Sequence, residues 1–335
     1  MRRAIVALTV LLASCAGAPS VQPSPRGLDA QLTTFPYPHE VRMHPIVMQG
    51  HALEMAYMDV APSGPARGTV VLLHGKNFSG AYWARTIDAL VALGFRVIAP
   101  DQIGFGRSSK PIDVQYSLHT MARHTLDLLD ARGVQGVAVV GHSMGGMLAT
   151  RIALVAPDRV ERLALVSPIG LEDWQRVAPY ATVDALYQQE RRRTPDDVRG
   201  YMRDAYFAGR WDPSYEALVA IQVGWLEGPD ANVIARVSAL TSDMIFTQPV
   251  VHEFGDLRVP TLLVIGQRDR TALGRDRASA EVAATLGDHP ALGRRAAEAI
   301  PGARLVELDD VGHVPHFEAF DRFFEPLSSF LTDER

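Results

Sequence analysis

Apolar positions along the chain alternate between two rhythms. Short runs rich in β-branched and aliphatic residues recur at Thr69–Leu73, Arg96–Pro100, Val137–Val140, Arg162–Val166, Thr261–Gly266 and Arg304–Leu308. Runs of this kind, apolar toward both sides, read as strands buried inside a parallel sheet. Between several of them lie stretches with apolar residues at helical spacing: Ala81–Leu93, closed by Gly94, then His119–Arg132 and Met147–Ala156. Strand following helix following strand predicts a mostly parallel sheet covered on both faces. Near the start, Val41–Met48 and His51–Val60 flank the turn residues Gln49-Gly50, which predicts an antiparallel pair opening the sheet.

The rhythm breaks over residues 171–254. No strand pattern is clear there; several helices are expected, carrying large aromatics that include Trp174, Tyr201, Tyr206, Phe207, Trp211, Tyr215, Trp225 and Phe246. Most of these serve packing, and some are expected to line an apolar pocket. The sheet then resumes. Residues 271–299 form a long connection whose Asp288-His289-Pro290 turn separates two helical pieces, and Phe317–Leu331 closes the chain as a helix.

The N-terminus follows a different logic. Arg2 and Arg3 precede the apolar stretch Ala4–Ala13, broken only by Thr9. About ten apolar residues are too few for a bilayer core about 30 Å thick, but they suit a signal peptide. Leu12-Ala13-Ser14-Cys15 resembles a bacterial lipobox, and Cys15 is the single cysteine of the chain. A lone thiol in an exported protein has no disulfide to make. The expectation is a signal peptide over 1–14, a lipidated Cys15 and a flexible Pro/Ser/Gly-rich tether over 15–38, which would place the protein in the bacterial cell envelope, on the periplasmic side or at the cell surface. Ala16-Gly17-Ala18 resembles an ordinary cleavage site, but cutting there leaves Pro19 first.

Composition narrows the function classes. With 47% hydrophobic residues in 335, the chain can bury a large core. A formal charge of −5 with dispersed basic residues gives no reason to expect a nucleic-acid partner. Arg191-Arg192-Arg193, the densest basic run, sits in a mixed-charge helical stretch and reads as a solvated face.

The candidate chemistry centres on Gly141-His142-Ser143-Met144-Gly145, which follows a buried strand and opens a helical pattern. A G-x-S-x-G turn in that context is a nucleophile elbow, with its serine exposed on a strained bend. Ser143 is therefore the candidate nucleophile. The run Gly104-Phe105-Gly106 is not a dinucleotide site, because the third glycine of that fingerprint is absent and no helix opens there.

With the elbow, His74-Gly75 after the third strand, Asp101-x-x-Gly104-x-Gly106-x-Ser108 after the fourth, and Gly312-His313 after the last, the chain from Val41 onward resembles the α/β-hydrolase family. The resemblance implies an eight-stranded, mostly parallel sheet flanked by helices. Its core would comprise residues 39–170 and 255–335, and the insertion 171–254 would be a helical cap. It also implies a triad in the order Ser143, Asp269, His313, with the Lys76 and Met144 amides as oxyanion donors. Asp269 could instead pair only with Arg268 or Arg270; His316 competes with His313; and His74 is expected to hold its loop. No cofactor and no metal site are implied. The implied activity is hydrolysis of a small or medium apolar carboxylic ester through an acyl-enzyme. Alternatives are C–C bond hydrolysis of ring-cleavage products, lactonase, thioesterase, peptidase or perhydrolase activity, and a membrane-tethered binding module on a hydrolase fold.

Overall fold

The computed structural model describes residues 27–333. The signal peptide, Cys15 and the first part of the expected tether lie outside them. Eight strands form one sheet: β1 (Val41–Met48), β2 (His51–Val60), β3 (Thr69–Leu73), β4 (Arg96–Pro100), β5 (Val137–His142), β6 (Val160–Val166), β7 (Thr261–Gly266) and β8 (Arg304–Leu308). Their order is β1-β2-β4-β3-β5-β6-β7-β8. Strand β2 runs antiparallel to β1 and β4, and every other pairing is parallel. The mainly apolar strands β5 and β7 lie inside the sheet, buried at every residue, whereas Arg304 and Glu307 fit β8 for the edge.

Helices cover both faces. On one side α2 (Leu118–Ala131), α3 (Met144–Val155) and α9 (His289–Ala299) pack through Leu128, Leu148, Ile152 and Leu292. On the other, α1 (Ala84–Ala92) and α11 (Phe320–Thr332) bury Ile87, Leu90, Phe323 and Leu327. The expected closing helix is divided. Ala319, with φ −144° and ψ 57°, separates α10 (Pro315–Glu318) from α11.

Between β6 and β7 the chain forms α4 (Val183–Arg191), α5 (Pro195–Tyr201), α6 (Glu216–Leu226) and α7 (Ala231–Thr247), joined by short turns. The short α8 (Ala280–Thr285) precedes α9. Phe207 stacks on Tyr215, with ring centroids 3.9 Å apart, inside a separate apolar cluster that also takes in Phe78 and Val314 of the core. The cap is thus packed onto the sheet domain through side chains from both.

One expectation is corrected at the N-terminal side. The tether was to extend to residue 38, yet Leu28 and Leu32 are fully buried against Ile221 and Trp225 of α6. The Trp225 indole N–H donates to the Asp29 carbonyl at 3.0 Å, and the Ala30 amide donates to Asp230 at 2.8 Å. Two leucines four residues apart gave too little periodicity to mark this segment as packed.

Candidate active site

The elbow is built from backbone that only particular residues tolerate. Ser143 has φ 56° and ψ −120°, a strained conformation for a residue with a side chain, and it stands directly before α3. A β-carbon on Gly141 would lie 2.2 Å from the Gly145 carbonyl oxygen, and one on Gly145 would lie 2.2 Å from that of Leu73. Both glycines are needed because strand, turn and helix approach closer than any side chain allows. The helix starts three residues earlier than its apolar spacing suggested, because the two glycines at its beginning hide the first turn.

The structure brings Ser143, His313 and Asp269 together. His313 Nε2 lies 2.9 Å from Ser143 Oγ, and Nδ1 lies 2.5 Å from Asp269 Oδ2. All three are buried, Asp269 and His313 completely. The Thr271 amide donates to the other oxygen of Asp269 at 2.8 Å. Burial alone would raise the Asp269 carboxyl. The His289 and His313 imidazoles, with the bonds from His313 and Thr271, nevertheless hold it below the usual carboxylate value. The arginines beside Asp269 are engaged elsewhere: Arg268 pairs with Glu318 at 3.0 Å, and Arg270 donates to the carbonyls of Gln267 and Asp269. His316 stacks on Trp83, centroids 4.1 Å apart, and bonds neither Ser143 nor Asp269.

The Lys76 and Met144 amides have no hydrogen-bond partner among the described residues, so both remain free to donate. Their loops meet at the serine: a β-carbon on Gly75 would stand 3.0 Å from Ser143 Cβ. His74 holds its own loop. Its ring bridges the Gly75 carbonyl at 2.8 Å and the Gln102 amide at 2.9 Å. The Asp101–Ser108 loop contributes no residue to the cavity over Ser143. Asp101 instead receives Tyr37 Oη, the Gly80 amide and the Arg107 amide.

Two features escaped the sequence. A relay ties the three loops together: the Gly75 amide donates to Tyr82 Oη at 2.9 Å, Tyr82 Oη meets His142 Nδ1 at 2.9 Å, and His142 Nε2 meets the His313 carbonyl at 2.7 Å. A carbonyl can only accept, so His142 carries its proton on Nε2 and Tyr82 donates to Nδ1. Burial, with the neighbouring His313 and His316, pushes His142 well below the ordinary histidine value, which keeps it neutral in this role. The second feature comes from the 271–299 connection. His289 Nε2 faces the Thr271 carbonyl at 3.0 Å, and Nδ1 lies 3.4 Å from Asp269 Oδ2. Both depend on contacts between residues far apart in the chain.

Above Ser143 lies a cavity of about 750 Å³. Trp174, Tyr201, Tyr206 and Phe246 of the cap line it. Tyr206 also touches His313: its carbonyl accepts from the His313 amide at 2.9 Å, and the two rings are 4.3 Å apart. Apolar surface makes up the larger part of its lining, as expected, with charged residues set among the aromatics. Lys76, Arg193, Arg270, Arg275, Glu190 and Asp276 also line it. Among the described residues no cluster of histidine, cysteine, aspartate or glutamate could hold a metal ion, and no helix is long and apolar enough to cross a membrane.

This sheet order, the elbow on β5 and the capped cavity define an α/β hydrolase fold, and comparisons agree. Residues 68–210 match the alpha/beta hydrolase fold family. The chain is 46% identical over 250 residues to 2-hydroxymuconate semialdehyde hydrolase of Pseudomonas putida, an alignment covering 71% of this chain and 77% of that one. The crystal structure of a probable hydrolytic enzyme from Pseudomonas aeruginosa PAO1 superposes with a TM-score of 0.90 at 47% identity, covering 92% of this chain and 99% of that one. The protein belongs to the α/β-hydrolase family. Several other curated relatives align over only 31% to 42% of their length; one is 2-hydroxy-6-oxo-2,4-heptadienoate hydrolase of Pseudomonas putida F1, at 36% identity over 121 residues.

Proposed function

We propose that the protein is a serine hydrolase that cleaves carboxylic esters through an acyl-enzyme. The observation that carries this reading is the hydrogen-bonded chain from Ser143 through His313 to Asp269. His313 Nε2 takes the Ser143 proton as Oγ attacks the carbonyl carbon, and the Lys76 and Met144 amides hold the developing oxyanion. The imidazolium, stabilised by Asp269, returns its proton to the departing alkoxide, which leaves as the alcohol. Water then enters. His313 takes one of its protons, hydroxide adds to the acyl carbon, and Ser143 leaves reprotonated as the acid departs.

The relative named 2-hydroxymuconate semialdehyde hydrolase supports a second reading, in which the same machinery hydrolyses a C–C bond of a ring-cleavage product. Steady-state turnover of p-nitrophenyl butyrate against a 2-hydroxy-6-oxo-dienoate separates the two. The ester reading expects kcat/KM to favour the ester, and preference for the dienoate by tenfold or more overturns it. Export and tethering through a lipidated Cys15 belong to the same proposal. Cells fed a palmitate analogue should label the wild-type chain and not Cys15→Ala, and equal labelling of both would refute the anchor.

A further inference from the structure

We propose that the substrate of this cavity carries a carboxylate group, recognised by the Lys76 ammonium. The proposal rests on the acyl-transfer reading of the same site. Lys76 lines the cavity beside Ser143. Its Nζ donates to Ser238 Oγ at 2.7 Å and to Asn77 Oδ1 at 3.3 Å, both neutral oxygens. An ammonium has three N–H donors, and the third has no acceptor among the described residues. Lys76 makes no ion pair there either. Glu190 attracts the ammonium through space without bonding it; a charge taken from water and left without a bonded counter-ion is unfavourable, and an anion entering the cavity relieves it.

The rest of the lining points the same way. Arg270 donates to the carbonyls of Gln267 and Asp269, and Arg275 to those of Arg270 and Leu286, so neither faces a carboxylate side chain within bonding distance. Of the five acids that line the cavity, Glu190 pairs with Arg193 at 3.6 Å, Asp276 with Arg277 at 3.5 Å and Asp204 with Arg203 at 2.8 Å, while Asp197 accepts from Thr194 and Asp243 from Tyr180. The lining carries six cations against five acids, and Lys76, Arg270 and Arg275 are held only by neutral oxygens, which leaves a small net positive field. Such a field draws in and orients an anionic ligand. Because the Lys76 amide is also a proposed oxyanion donor, its ammonium lies one side chain away from the scissile carbonyl. A carboxylate bound there is therefore only a few atoms from the reacting bond, as in a hemiester of a short dicarboxylic acid.

The test uses matched pairs. One is the p-nitrophenyl hemiester of glutaric acid against its neutral ω-carboxamide; the other is the butyrate ester of 4-hydroxybenzoate against that of 4-hydroxybenzamide. The readout is the ratio of kcat/KM, anionic over neutral, because Lys76 also contributes its backbone to the reacting centre. Wild type should favour the anion at least tenfold in one pair, which also tells whether the carboxylate sits on the acyl or the alcohol side. Lys76→Met should bring that ratio near one, and Lys76→Arg should restore most of it. Ratios at or below one in both pairs, or a ratio that survives Lys76→Met, would overturn the proposal. Covalent labelling of Ser143 by a neutral fluorophosphonate is run in parallel. Labelling with ratios near one sinks the anion site alone, whereas no labelling removes the acyl-transfer reading beneath it.

Discussion

The two walls of the cavity are made in opposite ways. The wall from the sheet domain is fixed by backbone: Gly141 and Gly145 meet carbonyls at distances no side chain allows, Ser143 is strained, and the Tyr82–His142 relay ties its loop to those of Gly75 and His313. The facing wall, from the cap and the 271–299 connection, is made of side chains on helices and loops: Glu190, Arg193, Tyr201 and Arg275. A wall held by backbone contacts presents donors and a nucleophile at fixed positions, as transition-state stabilisation requires. A wall of side chains can change its charge and shape without disturbing the chemistry below. On the proposed function, chemistry resides in one wall and selectivity in the other, with Lys76 belonging to both: its amide to the first, its ammonium to the second.

Each prediction attacks one side of that contrast. Asp269→Asn should show the largest effect, about 10⁴-fold in kcat, because the amide can present its N–H to His313 and favour the wrong tautomer. The measurement is ester turnover at neutral pH, with circular dichroism unchanged. Gly145→Ala should follow. Its β-carbon meets the Leu73 carbonyl, so the elbow must shift, with a stability loss of at least ~3 kcal/mol and a kcat loss of about 10²-fold. Urea titration and ester kinetics read both; an unchanged midpoint would show that the glycine is not structurally required. Tyr82→Phe should be milder. It removes the hydroxyl between the Gly75 amide and His142, which costs about 1–3 kcal/mol for buried groups left unpaired. A tenfold fall in kcat with little change in KM is expected, whereas unchanged kcat would separate the relay from catalysis.

The smallest effect belongs to the selectivity wall. Burial holds the Lys76 ammonium down to about 8, with Glu190 opposing the shift and Arg193 adding to it. The charge is present below that pH and lost above it. The preference for a carboxylate over its carboxamide should therefore shrink a few-fold from pH 7 to pH 9. A flat ratio would place the recognition on an arginine instead.

Legibility in the sequence followed the same division. The strands were readable because a central parallel strand is apolar throughout, and Ser143 because a glycine-flanked serine at a strand end has few other uses. Asp269 and His313 could be named only by resemblance, since nothing local distinguishes either from its charged or histidine neighbours. Tyr82 lies 60 residues from His142, and His142 lies 171 from His313, so no local pattern could reveal that relay. His289 belonged to a connection with no apparent purpose, and Leu28 and Leu32 to a segment that looked unpatterned. The aromatics of the pocket were visible as a group, whereas Arg193, which stands among them, looked like solvated surface.

The most direct test is labelling of the folded, wild-type protein with a fluorophosphonate probe, followed by peptide mass spectrometry. The account predicts stoichiometric modification at Ser143, absent in Ser143→Ala and slowed by at least about 10³-fold in His313→Ala, where the nucleophile has lost its base. Folded protein that takes up no probe, or takes it up at a residue other than Ser143, would contradict the account at its centre.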